Sequence, residues 1–185
     1  MRERLLAGNF AKNGCQIPDS FEGDPISAEI PSDQFDRPKC LEAHSVAITR
    51  TSVDRVIEGL KARGITILGA VGYCYGVRHA VDLAIENTIA SAVMPHPSFI
   101  VPDGDFPTLL EKSNVPLLIQ ACDFDTAFPA ETAQKTDDIL GNGKHAAGYK
   151  REHFLGCTHG LGSDHLVKAG EESAFKYTVE WFSKL

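Results

Sequence analysis

The chain has 185 residues, of which 43% are hydrophobic and 23% charged, and its formal net charge is −7. That composition predicts one folded domain, 1–185, with room for a real core, and excludes disordered, collagen-like and low-complexity readings. The excess of 25 acidic over 18 basic residues has the wrong sign for a nucleic-acid groove, and the apolar runs are too short to span a membrane.

The N-terminus carries Arg2 and Arg4 but no long apolar run before a small-residue cleavage site. It reads as neither a signal nor a transit peptide, so the expected compartment is the cytoplasm. The five cysteines, Cys15, Cys40, Cys74, Cys122 and Cys157, are odd in number, widely spaced and without a Cys-x-x-Cys pair. A disulfide framework and a zinc knuckle are therefore disfavoured. Cys15, Cys40, Cys122 and Cys157 read as small buried hydrophobes; Cys74 stands apart because of its neighbours.

In chain order, Leu5, Leu6, Phe10 and Ala11 have helical spacing, closed by Asn13-Gly14. Gln16 to Asp19 is at most a short strand, and Asp19 to Lys39, rich in Pro, Asp and Ser, reads as loop. A helical turn is expected within Cys40 to Ala47. Thr51-Ser52 then looks like an N-cap for a helix with Val53, Val56, Ile57 and Leu60 on one face, ended by Gly64. Ile65 to Val71 is a short apolar run that suits a strand buried on both faces. Tyr75 to Asn87 is helical in period, Ile89 to Met94 is a second strand, and Leu109 to Lys112 a short helical piece. A third strand is expected at Val115 to Ala121, a helix at Ala130 to Leu140 behind Pro129, a fourth strand at His145 to Phe154, and a closing helix from Asp164 to Leu185. Strands alternating with helices predict an α/β fold, a mainly parallel sheet with helices on both faces.

Gly72-Tyr73-Cys74-Tyr75-Gly76 falls between the first strand and the following helix. This is the placement of a nucleophile elbow, Gly-x-nucleophile-x-Gly, with cysteine as the nucleophile. Small flanking residues are needed where strand and helix backbones crowd, the helix N-terminus favours the thiolate, and the Tyr75 N–H is placed to support an oxyanion. In the motif's chain order the acid and the histidine follow on loops after later strands. Asp123 and Asp125 follow the third strand, and spacing does not choose between them; His159 follows the fourth. His96, after the second strand, lies where it could line a pocket. His44, His79, His145, His153 and His165 read as ordinary surface or core residues, and no metal-ligand spacing is present, so neither a metal nor another cofactor is expected.

Gly72-Tyr73-Cys74-Tyr75-Gly76, Pro116-Leu117-Leu118-Ile119 with Asp125-Thr126-Ala127-Phe128-Pro129, and Cys157-Thr158-His159-Gly160 together resemble the dienelactone hydrolase family, and its fungal members above all. Gly69-Ala70-Val71 and the Val179-Glu180-Trp181-Phe182 ending resemble them too. The resemblance covers nearly the whole chain. It implies an α/β-hydrolase fold and a Cys74–His159–Asp125 triad, and it selects Asp125 because the family's acid precedes a short stretch ending in proline. It implies a carboxylic ester or lactone hydrolase of carboxymethylenebutenolidase type, with Tyr73, His96 and Phe128 at the substrate, a small-molecule ester or lactone as partner, and a monomer or weak homo-oligomer.

The sequence departs from the family in three ways. It starts after the family's first strands, so a fold lacking them, without the second oxyanion donor and with impaired activity, is expected. Gly160-Leu161-Gly162-Ser163-Asp164 replaces the family's Gly-Phe-Ala and following Arg, and Val77 stands at the second elbow glycine. The alternative reading is a non-catalytic or impaired hydrolase-like remnant that acts as a binding protein. A redox-sensing thiol at Cys74 ranks lower, because no resolving cysteine is near in sequence.

Overall fold

The computed structural model describes residues 14–25, 30–31, 34–161 and 165–185. The helix expected over Leu5 to Ala11 lies outside them, as does Asp164. Two compact units are distinguished, Met1–Thr66 and Ile67–Leu185.

The described part of the first unit holds two helices after irregular chain. α1 (Arg37–Ala43) starts at Asp36, whose side chain accepts the Lys39 N–H at 3.0 Å. α2 (Val46–Ala62) starts at Ser45, six residues before the expected cap at Thr51. Thr51 and Ser52 are interior to it. The Thr51 hydroxyl donates to the Ile48 carbonyl at 2.7 Å instead of capping an N–H, so its polarity is satisfied within the helix. Ser52 donates to Glu22 at 3.1 Å, and Arg55 pairs with the same carboxylate. Gln16 to Asp19 forms no strand.

The second unit is a four-stranded sheet, β1 (Gly69–Val71), β2 (Ser91–Pro95), β3 (Leu117–Phe124) and β4 (Tyr149–Thr158), in the order β1-β2-β3-β4. Every pair is parallel: Ala70 faces Ala92, Val93 faces Leu118, and Ile119 faces Arg151. The crossovers are α3 (Val77–Ile85), α4 (Pro102–Lys112) and α5 (Ala130–Leu140), and α6 (His165–Phe182) follows β4. All five residues of β2 are buried, so both faces of the sheet are covered there. The core is built from Val77, Val81 and Ala84 of α3, Met94 of β2, Phe106 and Leu109 of α4, Leu117 to Ile119 of β3, and Phe128.

Several boundaries move for physical reasons. β1 is three residues long, since Ile65 is tied back to Leu60 O and Ile67 is 62% exposed. α4 reaches back to Pro102, where proline suits a first helical position and Asp105 accepts the Val101 N–H at 2.7 Å. β4 starts four residues later than expected. His145 is buried in the preceding turn, its Nε2 paired with the Val115 carbonyl at 2.9 Å, and Gly148 has φ +111°. α5 lies where it was expected. Cys122 and Cys157 are buried with Phe154 and Ala174, whereas Cys15 and Cys40 are only half-buried, contrary to the uniform expectation. No described helix is long and apolar enough to cross a membrane.

Candidate active site

Each strand delivers one part of the site just beyond its C-terminal end. β1 leads through Gly72 and Tyr73 into a tight turn, Cys74–Gly76, and then α3. Cys74 has φ +47°, a left-handed conformation uncommon for a residue with a Cβ and characteristic of strained functional turns. Gly72 makes this turn possible. A Cβ there would sit 2.2 Å from the Gly76 carbonyl oxygen, inside any allowed contact, whereas a Cβ on Gly76 would meet nothing within 4 Å. The expectation of two sterically required glycines is thus corrected: only the first is compressed.

β2 runs into Pro95-His96-Pro97-Ser98. His96 keeps a sheet-like bond to Gln120 O at 2.8 Å, yet it has φ +36°, and Phe99 has φ +58°. This bent loop turns Ser98 toward the elbow, its Oγ 3.5 Å from Cys74 Sγ and 3.4 Å from His159 Nε2. Arg78 of α3 ties the loop down. Its guanidinium donates to Phe99 O at 3.3 Å and to Asp105 at 2.6 Å, and pairs with Asp82.

β3 ends at Phe124, and Asp125 follows with its carboxylate enclosed. Its Oδ1 accepts the Ala127 N–H at 2.8 Å, the Phe128 N–H at 3.1 Å and His159 Nδ1–H at 2.8 Å. β4 ends at Thr158, and His159 opens the next turn, followed by Gly160 at φ +78°. His159 Nε2 lies 3.1 Å from Cys74 Sγ. The chain Cys74–His159–Asp125 is therefore hydrogen-bonded throughout, although 85 residues separate its first two members. Asp123, the other carboxylate open to a reading by spacing, pairs with His153 at 3.2 Å and accepts the Gly156 N–H.

Burial opposes ionisation of the Cys74 thiol, but hydrogen bonds from His159, His96 and Ser98 and the charge of His159 outweigh it, drawing the thiol down to about 5. The hydrogen bond to Cys74 pushes His159 up to about 9, against burial and with support from Asp125. Near neutral pH the arrangement favours a thiolate–imidazolium pair.

The remaining expected residues are distributed around this pair. The His96 ring stands 4.9 Å from His159 and 5.7 Å from Tyr73, centroid to centroid. Tyr75, half-buried at the elbow, packs its ring against Phe99 at 5.1 Å. Phe128 is 1% exposed and belongs to the core, and its backbone N–H donates to Asp125. Ser98 and Arg78 were not singled out from sequence. A serine two residues after His96, beyond a strand end, was the available signal. Cys74, His96 and His159 each bring one ligand-capable atom within 4.8 Å of the others, a cluster with no local spacing to announce it.

Residues 15–185 match the dienelactone hydrolase family model, and the chain belongs to that family. It is 28% identical over 192 residues to the hydrolase pyvD of Aspergillus violaceofuscus, covering 100% of this chain and 75% of that protein. It is also 28% identical over 197 residues to the hydrolase tropI of Talaromyces stipitatus, covering 98% and 74%. Among solved structures it resembles a protein of Klebsiella pneumoniae assigned as a dienelactone hydrolase, with a TM-score of 0.67 at 17% identity over 83% of this chain and 69% of that one. The fold is accordingly that of the α/β-hydrolases.

Proposed function

We propose that the protein hydrolyses a small carboxylic ester or lactone through a covalent thioester on Cys74. The observation that carries the reading is the unbroken hydrogen-bonded chain from Cys74 Sγ through His159 to the enclosed Asp125 carboxylate.

In this reading the Cys74 thiolate attacks the acyl carbon, and the carbonyl electron pair moves onto oxygen, which the Tyr75 N–H at the head of the turn supports. Collapse of the tetrahedral adduct expels the alkoxide, which takes the proton from His159 Nε2. A water then gives a proton to the now neutral His159 and attacks the thioester. Collapse releases the carboxylic acid and restores the thiolate–imidazolium pair. Asp125 holds the His159 ring with Nδ1–H inward throughout and stabilises the imidazolium. Tyr73 and His96 flank the reacting atoms and contact the substrate.

An activated aryl ester tests the reading. A burst of phenolate stoichiometric with protein, a mass increase of one acyl group on the Cys74 peptide, and loss of both in Cys74→Ala are expected. Undiminished turnover in Cys74→Ala would overturn it. A burst without turnover would favour the impaired, binding-protein alternative.

A further inference from the structure

We propose that Cys74, His96 and His159 form a three-ligand site for a divalent cation of zinc type, which on binding caps the thiol. Three observations point there. The ligand-capable atoms of the three residues lie within 4.8 Å of one another, and Cys74 Sγ and His159 Nε2 are 3.1 Å apart. In a tetrahedral zinc site with Zn–S of about 2.3 Å and Zn–N of about 2.0–2.1 Å, the donor atoms stand roughly 3.3–3.6 Å from each other, so side-chain movements of about 1 Å would complete the site.

His159 is also already held as a zinc-binding histidine is held. Its Nδ1–H donates to the buried Asp125 carboxylate at 2.8 Å, which fixes the ring with Nε2 toward the thiol. A carboxylate behind the imidazole is the usual outer support of a metal-bound histidine. Finally, His96 is 6% exposed and is held in a left-handed backbone conformation, with its ring centroid 4.9 Å from that of His159. A buried imidazole placed beside a thiol by a strained loop is a ligand arrangement that packing alone does not call for.

One thiolate and two imidazoles select zinc-type cations over magnesium or calcium, which prefer oxygen donors. Three protein ligands leave a fourth position for water. Binding is not a redox step. The sulfur and nitrogen lone pairs go to the metal, and the proton held between Cys74 and His159 is released to solvent. The metal occupies the lone pair that would attack an acyl carbon, and the site thereby acts as a reversible brake on the thiol.

The inference rests on the ligand positions and not on the hydrolase reading, so protein that cleaves no ester still tests it. Reduced, chelator-treated protein is titrated with Zn²⁺ and, for a spectroscopic signature, with Co²⁺. One ion per chain is expected, with a thiolate-to-cobalt charge-transfer band that is absent in Cys74→Ser, and with affinity at least tenfold weaker in His96→Gln. Without any variant, Zn²⁺ should slow alkylation of Cys74 by iodoacetamide, read on the Cys74 peptide by mass, and a chelator should restore it, while Mg²⁺ does neither. Uptake that survives Cys74→Ser, equal affinity in His96→Gln, or alkylation unaffected by stoichiometric Zn²⁺ would each overturn the site.

Discussion

Removing the imidazole from the pair should change the thiol in a calculable way. With Cys74 drawn down to about 5, about nine-tenths of it is thiolate at pH 6, against about one part in 1,000 for a thiol at its free value of 9.0. A more acidic thiolate is a weaker nucleophile. With a Brønsted slope of about 0.4–0.5 over those four units, each thiolate reacts roughly 40–100-fold more slowly. The two effects leave Cys74 about tenfold to twentyfold faster than an ordinary thiol at pH 6. Exchange with dithiodipyridine, followed on a Cys15→Ser/Cys40→Ser background from pH 4 to 9, reads this directly. The rate should rise through an inflection at about 5 in the parent protein. In His159→Gln the largest favourable hydrogen bond is gone while burial remains, so the inflection should move above about 7. An inflection that stays near 5 in His159→Gln would show that the helix start, and not the imidazole, holds the thiolate, and would refute the ion-pair account.

Hydrolysis should follow a bell-shaped pH profile, gained as Cys74 loses its proton through about 5 and lost as His159 gives up its own near 9, measured as kcat/KM on an activated ester. Asp125→Asn should lower kcat by about 10²–10⁴ with the fold intact by circular dichroism, whereas Asp123→Asn, whose partners are His153 and Gly156, should leave it within about twofold. Gly72→Ala should destabilise by about 3 kcal/mol or more because its Cβ would strike the Gly76 carbonyl, while Gly76→Ala should stay within about 1 kcal/mol in urea unfolding. Asp137→Ala removes the carboxylate that Tyr149 and Arg151 share, and should cost about 1.5–3 kcal/mol in the same assay.

The parts of this molecule that sequence reveals are those specified by neighbours along the chain. Strand, turn and helix around Cys74 are encoded by an apolar run, a compressed Gly72 and a helical period, so the elbow is legible. α5 is legible because Pro129 marks its start. Ser45, by contrast, hides as a helix start because Thr51 and Ser52 offer the same side-chain chemistry further on, and only the Thr51 bond to Ile48 O shows that it is interior. The beginning of β4 is masked by His145, whose ring is captured by a carbonyl 30 residues away. Asp125 and Asp123 are equivalent by spacing, and what separates them is which histidine each meets across the loop ends. Ser98 and His96 reach the thiol only because two left-handed residues bend their loop, a conformation that neither residue type announces.

That Cys74 and His159 sit beyond opposite edge strands has a consequence for how the protein is made. Cys74 leaves the ribosome long before His159, and the two meet across the full width of a parallel sheet whose every connection is a helical crossover. Long-range parallel pairing forms late and slowly. Until β4 docks, His159 does not reach Cys74, and the hydrogen bond that lowers the thiol most is missing. The full reactivity of Cys74 thus depends on a contact between the two ends of the sheet, and the rate of Cys74 labelling during refolding should report when that contact forms.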